Sequence, residues 1–289
     1  MKLILQLIIS GVLLGGLYGL LSIGLTLIFG VLKVVNFAHG EFLMLGMYAT
    51  FYLFTLLHLD PYLSLPLIFI LFFLFGILVN YLIIRHTVDA PHVVQIFATV
   101  GLSIVLSNAA LILWKADYHY IKTSYTEDMV YLGASVINLP RLLAFITAIL
   151  LTLILFYFVK KTYLGKAIRA TAQNRAAAIL MGINTSRIYM ITMGIGAACV
   201  AVAGDLLIQV YPVFPSVGFN FVIIAFVVVV LGGLGSLPGA LVGGVIVGII
   251  ETFSGFYLGT DLNQIAYFVI FVLILIIRPW GLLGAKGEV

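Results

Sequence analysis

Residues 4–32 read ILQLIISGVLLGGLYGLLSIGLTLIFGVL, twenty-nine positions without a charge. As one straight helix this run would be about 45 Å long, against a bilayer hydrocarbon core of about 30 Å. It must therefore tilt, bend or run into the interface. Lys2 ahead of it resembles the start of a secretory leader, but the run is too long for one and no small-residue cleavage site closes it, so it is read as a retained first span. Working outward, charges and turn residues mark off further apolar runs at about 37–57, 62–84, 93–114, 139–159, 188–210, 219–234, 238–257 and 263–278. The composition agrees: 64% of the 289 residues are hydrophobic and 8% charged, too few charges to cover a water-facing surface. The runs are continuous rather than alternating, which excludes a transmembrane barrel. Backbone amides unpaired in hydrocarbon cost several kcal/mol each, so the runs are helices. The expected fold is all-α: one polytopic transmembrane domain over 1–289, with eight or nine hydrophobic segments, some short or broken.

The break falls at Gly232-Gly233-Leu234-Gly235-Ser236-Leu237-Pro238-Gly239, where glycine and proline density ends any helix. Two readings stand: a tight turn at the surface between two spans, or a re-entrant pair around a protein- or water-lined interior.

Basic residues orient the chain. Lys160, Lys161, Lys166, Arg169, Arg175 and Arg187 lie in one loop with no acid among them, so 160–187 is cytoplasmic. Counting back, 115–138 is external, Arg85 internal, Asp60 external and Lys33 internal. Counting forward, 211–218 is external and Arg278 and Lys286 are internal. Lys2 at an external N-terminus is a mild violation.

Several chemistries are excluded. Gly165-Lys166 is followed by alanine and lacks the upstream glycine of a nucleotide-binding P-loop. His39-Gly40-Glu41 does not have the spacing of two metal ligands on one helix face, and no metal or catalytic residue is assigned. Ala203-Gly204-Asp205 is one glycine short of an intramembrane aspartyl protease motif, since Val202 occupies that place. Cys199 is the single cysteine and has no internal disulfide partner.

Polar groups inside apolar runs are the candidates for function. Thr99, Ser103 and Ser107 recur every four residues with Asn108 beside the last, a stripe that either lines a solute path or bonds to neighbouring helices and local carbonyls. His39, Glu41, Asp205 and Glu251 are ionisable positions with no evident cation, either path-facing or held by structural hydrogen bonds. Gly11, Gly15 and Gly19 form one small-residue face. Gly235, Gly239 and Gly243 form a second, and Ala240, Gly244 and Gly248 a third. Such faces allow close helix packing, movable or static. The stretch from Lys166 to Met181 has high helix propensity, with Gly182 where a C-terminal cap would stand. Its small residues suit a groove on a partner protein, and its cations suit anionic lipid.

At this loop a resemblance enters. Gly165-Lys166-Ala167-Ile168-Arg169-Ala170, with Ala178 and Met181-Gly182-Ile183, resembles the cytoplasmic coupling segment of branched-chain amino acid ABC permeases. Asn36-Phe37-Ala38-His39-Gly40-Glu41, Ala98-Thr99-Val100-Gly101-Leu102-Ser103 and Val230–Ala240 are similar to three further motifs of that family, in the family's order. The resemblance implies a permease subunit of an ATP-driven importer that works by alternating access. It implies a second related permease or a copy of this one, two cytoplasmic ATPase subunits that use the ATP, an extracytoplasmic solute-binding protein, and residence in a bacterial inner membrane. No cofactor and no nucleic acid is expected on this chain. The expected path residues are Asn36, His39, Glu41, Thr99, Ser103, Asn108, Asp205 and Glu251. The expected coupling residues, within 163–187, are Gly165, Lys166, Arg169, Ala172, Arg175, Ala178 and Gly182. Urea permeases and permeases for other small polar amino acids or amides share much of this pattern, although urea relatives commonly have Met at Phe37. An ion-coupled secondary transporter is the alternative from another class. Ser107 departs from the glutamine common in relatives; if it touches solute, substrate choice differs here.

Overall fold

The computed structural model describes residues 2–132, 135–259 and 262–284. Lys286 lies outside them. Twelve helices follow in chain order: α1 (Lys2–Leu32), α2 (His39–Leu57), α3 (Pro61–Val79), α4 (Arg85–Thr87), α5 (His92–Trp114), α6 (Leu139–Lys161), α7 (Tyr163–Gln173), α8 (Arg175–Leu180), α9 (Thr185–Leu207), α10 (Val217–Gly232), α11 (Leu237–Leu258) and α12 (Asn263–Ile277). A π-helical stretch, Asn80–Ile84, joins α3 to α4. Among the described residues seven segments are long and apolar enough to cross a membrane, counting Pro61–Thr87 as one, and α10 and α12 are shorter apolar helices. These nine are the nine apolar runs. The all-α expectation holds apart from a small antiparallel hairpin, β1 (Met129–Leu132) with β2 (Ser135–Asn138), in the 115–138 loop.

The long first run is one unbroken helix whose outer end leaves the bundle. Lys2 to Leu5 are exposed, while nearly every residue from Leu13 to Ile28 is buried. Gln6 meets the hairpin, donating from Nε2 to the Val136 carbonyl (2.7 Å) and accepting the Val136 amide (3.0 Å). The core of the bundle is α1 with α9, which is buried over nearly its whole length.

Two of the small-residue faces prove to be one seam. α1 packs antiparallel on α11 with Gly11, Gly15 and Gly19 against Gly248, Gly244 and Leu241. A Cβ on Gly15 would stand 2.5 Å from the Val245 Cα, and one on Gly248 would stand 2.5 Å from the Gly15 nitrogen. The second face, through Gly239 and Gly243, packs on α10 at the Gly232 and Val228 carbonyls. Between α10 and α11 the chain makes a turn, with Gly233 at φ +107° and Gly235 at φ +81°, so α10 and α11 form an antiparallel pair. Gly235 abuts Gly30, which puts the turn at the same end of the bundle as Lys33 and the basic 160–187 loop. The opposite end gathers Asp60 and Tyr125, hydrogen-bonded at 2.9 Å, with the β-bridge between His119 and Val213.

Two departures from expectation matter. First, α2 does not start at the end of the bundle where α1 stops. His39 Nε2 lies 3.1 Å from the Leu21 carbonyl, eleven residues back from the end of α1, or about 16 Å along its axis. Residues 33–38 therefore run back into the bundle before α2 begins. Second, the continuous helix expected over Lys166–Met181 is broken. Asn174 is extended (φ −155°, ψ 102°) and its side chain caps α8 through the Ala177 amide at 3.0 Å. A capping asparagine outcompetes the propensity of its neighbours. Gly182, at φ +80°, ends the second piece.

Candidate solute path and coupling surface

The polar stripe of α5 extends one turn further than expected, from Gln95 to Ser107, and each member meets a different element. Gln95 donates to the Val88 and Ala90 carbonyls (3.2 and 3.0 Å). Thr99, fully buried, has its hydroxyl 3.0 Å from the Val35 carbonyl in the re-entering segment. Ser103 faces Glu41, and Ser107 donates to the Pro215 carbonyl at 3.2 Å. Thr99 and Ser107 thus fasten α5 to the bundle, and Ser103 is the hydroxyl left facing a carboxylate. Asn108, exposed, donates to its own Ile104 carbonyl (2.8 Å) and borders a pocket of about 250 Å³ at the hairpin end with Ser107, Tyr118 and Phe214.

Asn36, Glu41, Thr99 and Ser103 are therefore brought together where residues 33–38 re-enter. Asn36 is fully buried, with Oδ1 accepting the Ala38 amide at 3.1 Å. The rest of the expected path lies elsewhere. His39 is buried and its ring is tied to Leu21. Asp205 is buried between α3 and α9 near the hairpin end, accepting from the Ser64 hydroxyl at 3.2 Å. Glu251, partly buried on α11, sits beside the phenol of Tyr18 with Tyr211 nearby. These three are held by contacts within the bundle, away from the α5 stripe.

At the basic end, α7 and α8 divide the expected coupling residues. Gly165 faces inward; a side chain there would collide with the Phe158 and Val159 carbonyls at the end of α6. Ala178 is also buried. These two join the segment to the bundle rather than to a partner. Arg169 donates to the Val159 carbonyl, satisfying one of the orphan acceptors at a helix end. Ala172 lines a cavity of about 630 Å³, with Lys33, Lys160, Arg169 and Ser236, between α1, α6, α7 and the glycine turn. Lys166 is exposed. Beside these polar groups the exposed face carries large apolar side chains: Tyr163 is 82% exposed, Leu180 87% and Met181 81%. The alanine-rich reading overlooked Leu180 and Met181, although two large apolar residues next to a capping glycine outside the spans were visible in the sequence.

Arg175 pairs within the chain. Its guanidinium forms a bidentate contact with Asp89, the second bond 3.2 Å long, and its charge lies 5.5 Å from the Tyr189 ring. The hydrogen bond from Arg175 holds the Asp89 carboxyl below its ordinary range, so the pair persists at neutral pH and is lost only as acid protonates Asp89 below that range. Both partners are substantially exposed, so the pair adds about 1 kcal/mol or less to stability. Its importance is geometric, since it ties the base of α5 to α8. Asp89→Arg or Arg175→Asp alone should free α8, raising amide hydrogen exchange over 175–180 at least threefold with normal abundance. The double swap should restore most of the protection.

Residues 7–278 match the family model described as the permease component of the branched-chain amino acid transport system. The high-affinity branched-chain amino acid transport system permease protein BraD of Pseudomonas aeruginosa is 33% identical, over 97% of this chain and 95% of its own. LivH of Escherichia coli, of the same description, has the same identity and coverage. A probable branched-chain amino acid permease of Methanocaldococcus jannaschii is 29% identical over 93% of this chain and 89% of its own. No solved structure matches. With a family match across most of its length and a polytopic helical fold, this multi-pass membrane protein belongs to the branched-chain amino acid transport permease family.

Proposed function

We propose that this chain is the permease subunit of an ATP-driven importer for branched-chain amino acids in a bacterial inner membrane. The observation that carries the reading is the 33% identity over 97% of the chain to permeases named for that transport. The chain performs no covalent chemistry. It supplies one side of the solute path and one docking surface, and ATP is bound and hydrolysed by two separate subunits on the basic, cytoplasmic side. A second related permease or another copy completes the pore, and an external binding protein delivers solute to the hairpin end. Solute enters past Ser107 and Asn108 and passes Ser103 and Glu41. Movement of docked ATPases reaches α5 through α7, α8 and the Asp89–Arg175 pair.

The path assignment is tested at Ser103. A leucine side chain there would fill the space facing Glu41 and remove the hydroxyl. Ser103→Leu should reduce leucine uptake at least twentyfold while abundance and ATPase association stay unchanged. Wild-type uptake by this variant would return the α5 stripe to a purely packing role.

A further inference from the structure

We propose that Glu41 receives the α-ammonium group of the solute, so that the path selects amino acids over neutral amides and over acids that lack the ammonium; this rests on the path reading above. Glu41 lies in the first turn of α2, well inside the bundle, and is only 4% exposed. Its Oε2 has no hydrogen-bond partner in the chain. Among the described residues the one ion pair is Arg175–Asp89 at the basic end, so no cation neutralises Glu41. Ser103 offers this carboxylate one hydroxyl but no charge, so a countercharge is still wanting at this depth, and the solute's ammonium is a mobile one. Ser103 stands beside it, one helical turn, about 6 Å, along α5 from the pocket at Ser107 and Asn108.

The surroundings fit the rest of a branched zwitterion. Asn36 is fully buried and its Nδ2 is a donor without a partner, suited to the solute's carboxylate. The N-termini of α2 and α10 meet here, with Gly40 against Gly218, and both bring the positive ends of their dipoles to the same place. Phe37, partly buried and four residues before Glu41, packs its ring 5.0 Å from that of Phe226 and is an apolar group close in the chain for the aliphatic side chain. One acceptor, one donor and an apolar ring within a few residues are complementary to an ammonium, a carboxylate and a branched side chain.

The experiment uses the complete permease–ATPase complex in nanodiscs without binding protein, read by saturation-transfer NMR. The probes are leucine, leucinamide (ammonium kept, carboxylate removed) and 4-methylpentanoate (ammonium removed). Wild type should engage leucine and leucinamide and ignore 4-methylpentanoate. Glu41→Gln should weaken leucine and leucinamide at least tenfold, and Glu41→Asp, which keeps the charge, should retain the ranking. Leucine binding within twofold of wild type in Glu41→Gln overturns the proposal. If Ser103→Leu still abolishes uptake in that case, the path reading stands and only the role of Glu41 falls. If Ser103→Leu transports normally, both fall.

Discussion

Replacing Gly15 with leucine should leave almost no folded protein in the membrane. The residue sits at the middle of the α1–α11 seam, where an added Cβ would lie 2.5 Å from the Val245 Cα and 2.6 Å from the Gly244 carbonyl oxygen. Both obstacles are backbone, so no rotamer change relieves them and the two helices must separate. α1 carries the bundle's core on its other faces, so displacing it disturbs α9, α10 and α6 together. Overpacking ordinarily costs about 1–3 kcal/mol, and here it also opens the close contacts that drive helix association in lipid. The matched control is Gly101→Leu on α5, where nothing lies within 4 Å. Fluorescence-detected gel filtration from solubilised membranes should show the monodisperse peak of Gly15→Leu reduced at least tenfold, and that of Gly101→Leu within twofold of wild type. Equal peaks for both would mean that the glycine seam tolerates separation.

The second large effect concerns the docking surface. Leu180 and Met181 stand almost fully exposed at the end of α8, outside the spans, on a segment anchored to the bundle by Gly165, Arg169 and Arg175. Exposed large apolar residues beside one another suit the proposed contact with an ATPase subunit. Leu180→Glu with Met181→Glu should abolish co-purification of the ATPase subunits and lower uptake at least fiftyfold. Permease abundance should not change, because neither side chain packs in the bundle. Retained co-purification would move the docking site off α8.

Much of this was legible in the sequence because lipid enforces a simple rule: charges and turn residues bound each span, and the nine apolar runs became the nine apolar helices. The glycine faces were also readable, but which faced which was not. Four-residue spacing marks a close-packing surface without naming its partner, and Gly15 and Gly244 lie far apart in the chain. The break at Asn174 was hidden by the strong helix formers on both sides, since a capping side chain acts through one hydrogen bond that composition does not register. Re-entry of residues 33–38 was hidden for a related reason. The segment is mostly apolar, so hydropathy reads it as the edge of a span, and tertiary contacts alone, His39 with Leu21 and Thr99 with Val35, reveal its depth. Of the expected path, Asn36, Glu41, Thr99 and Ser103 converge, because the period of α5 was readable and the motif before α2 happens to face it. His39, Asp205 and Glu251 do not join them, since ionisable residues in apolar sequence mark burial without saying which cavity or neighbour they serve. The Arg175–Asp89 pair spans 86 positions and belongs to tertiary structure alone.

This permease is expected to move solute only as ATP is hydrolysed in partner subunits. The direct measurement is leucine release from proteoliposomes holding the permease complex with its ATPases, with leucine-loaded binding protein inside and the ATPase face outward. Radiolabelled leucine should leave the lumen only when ATP and Mg²⁺ are added outside, at a rate unchanged by ionophores that collapse proton and sodium gradients. Transport that proceeds without ATP and stops on adding an ionophore would contradict the account.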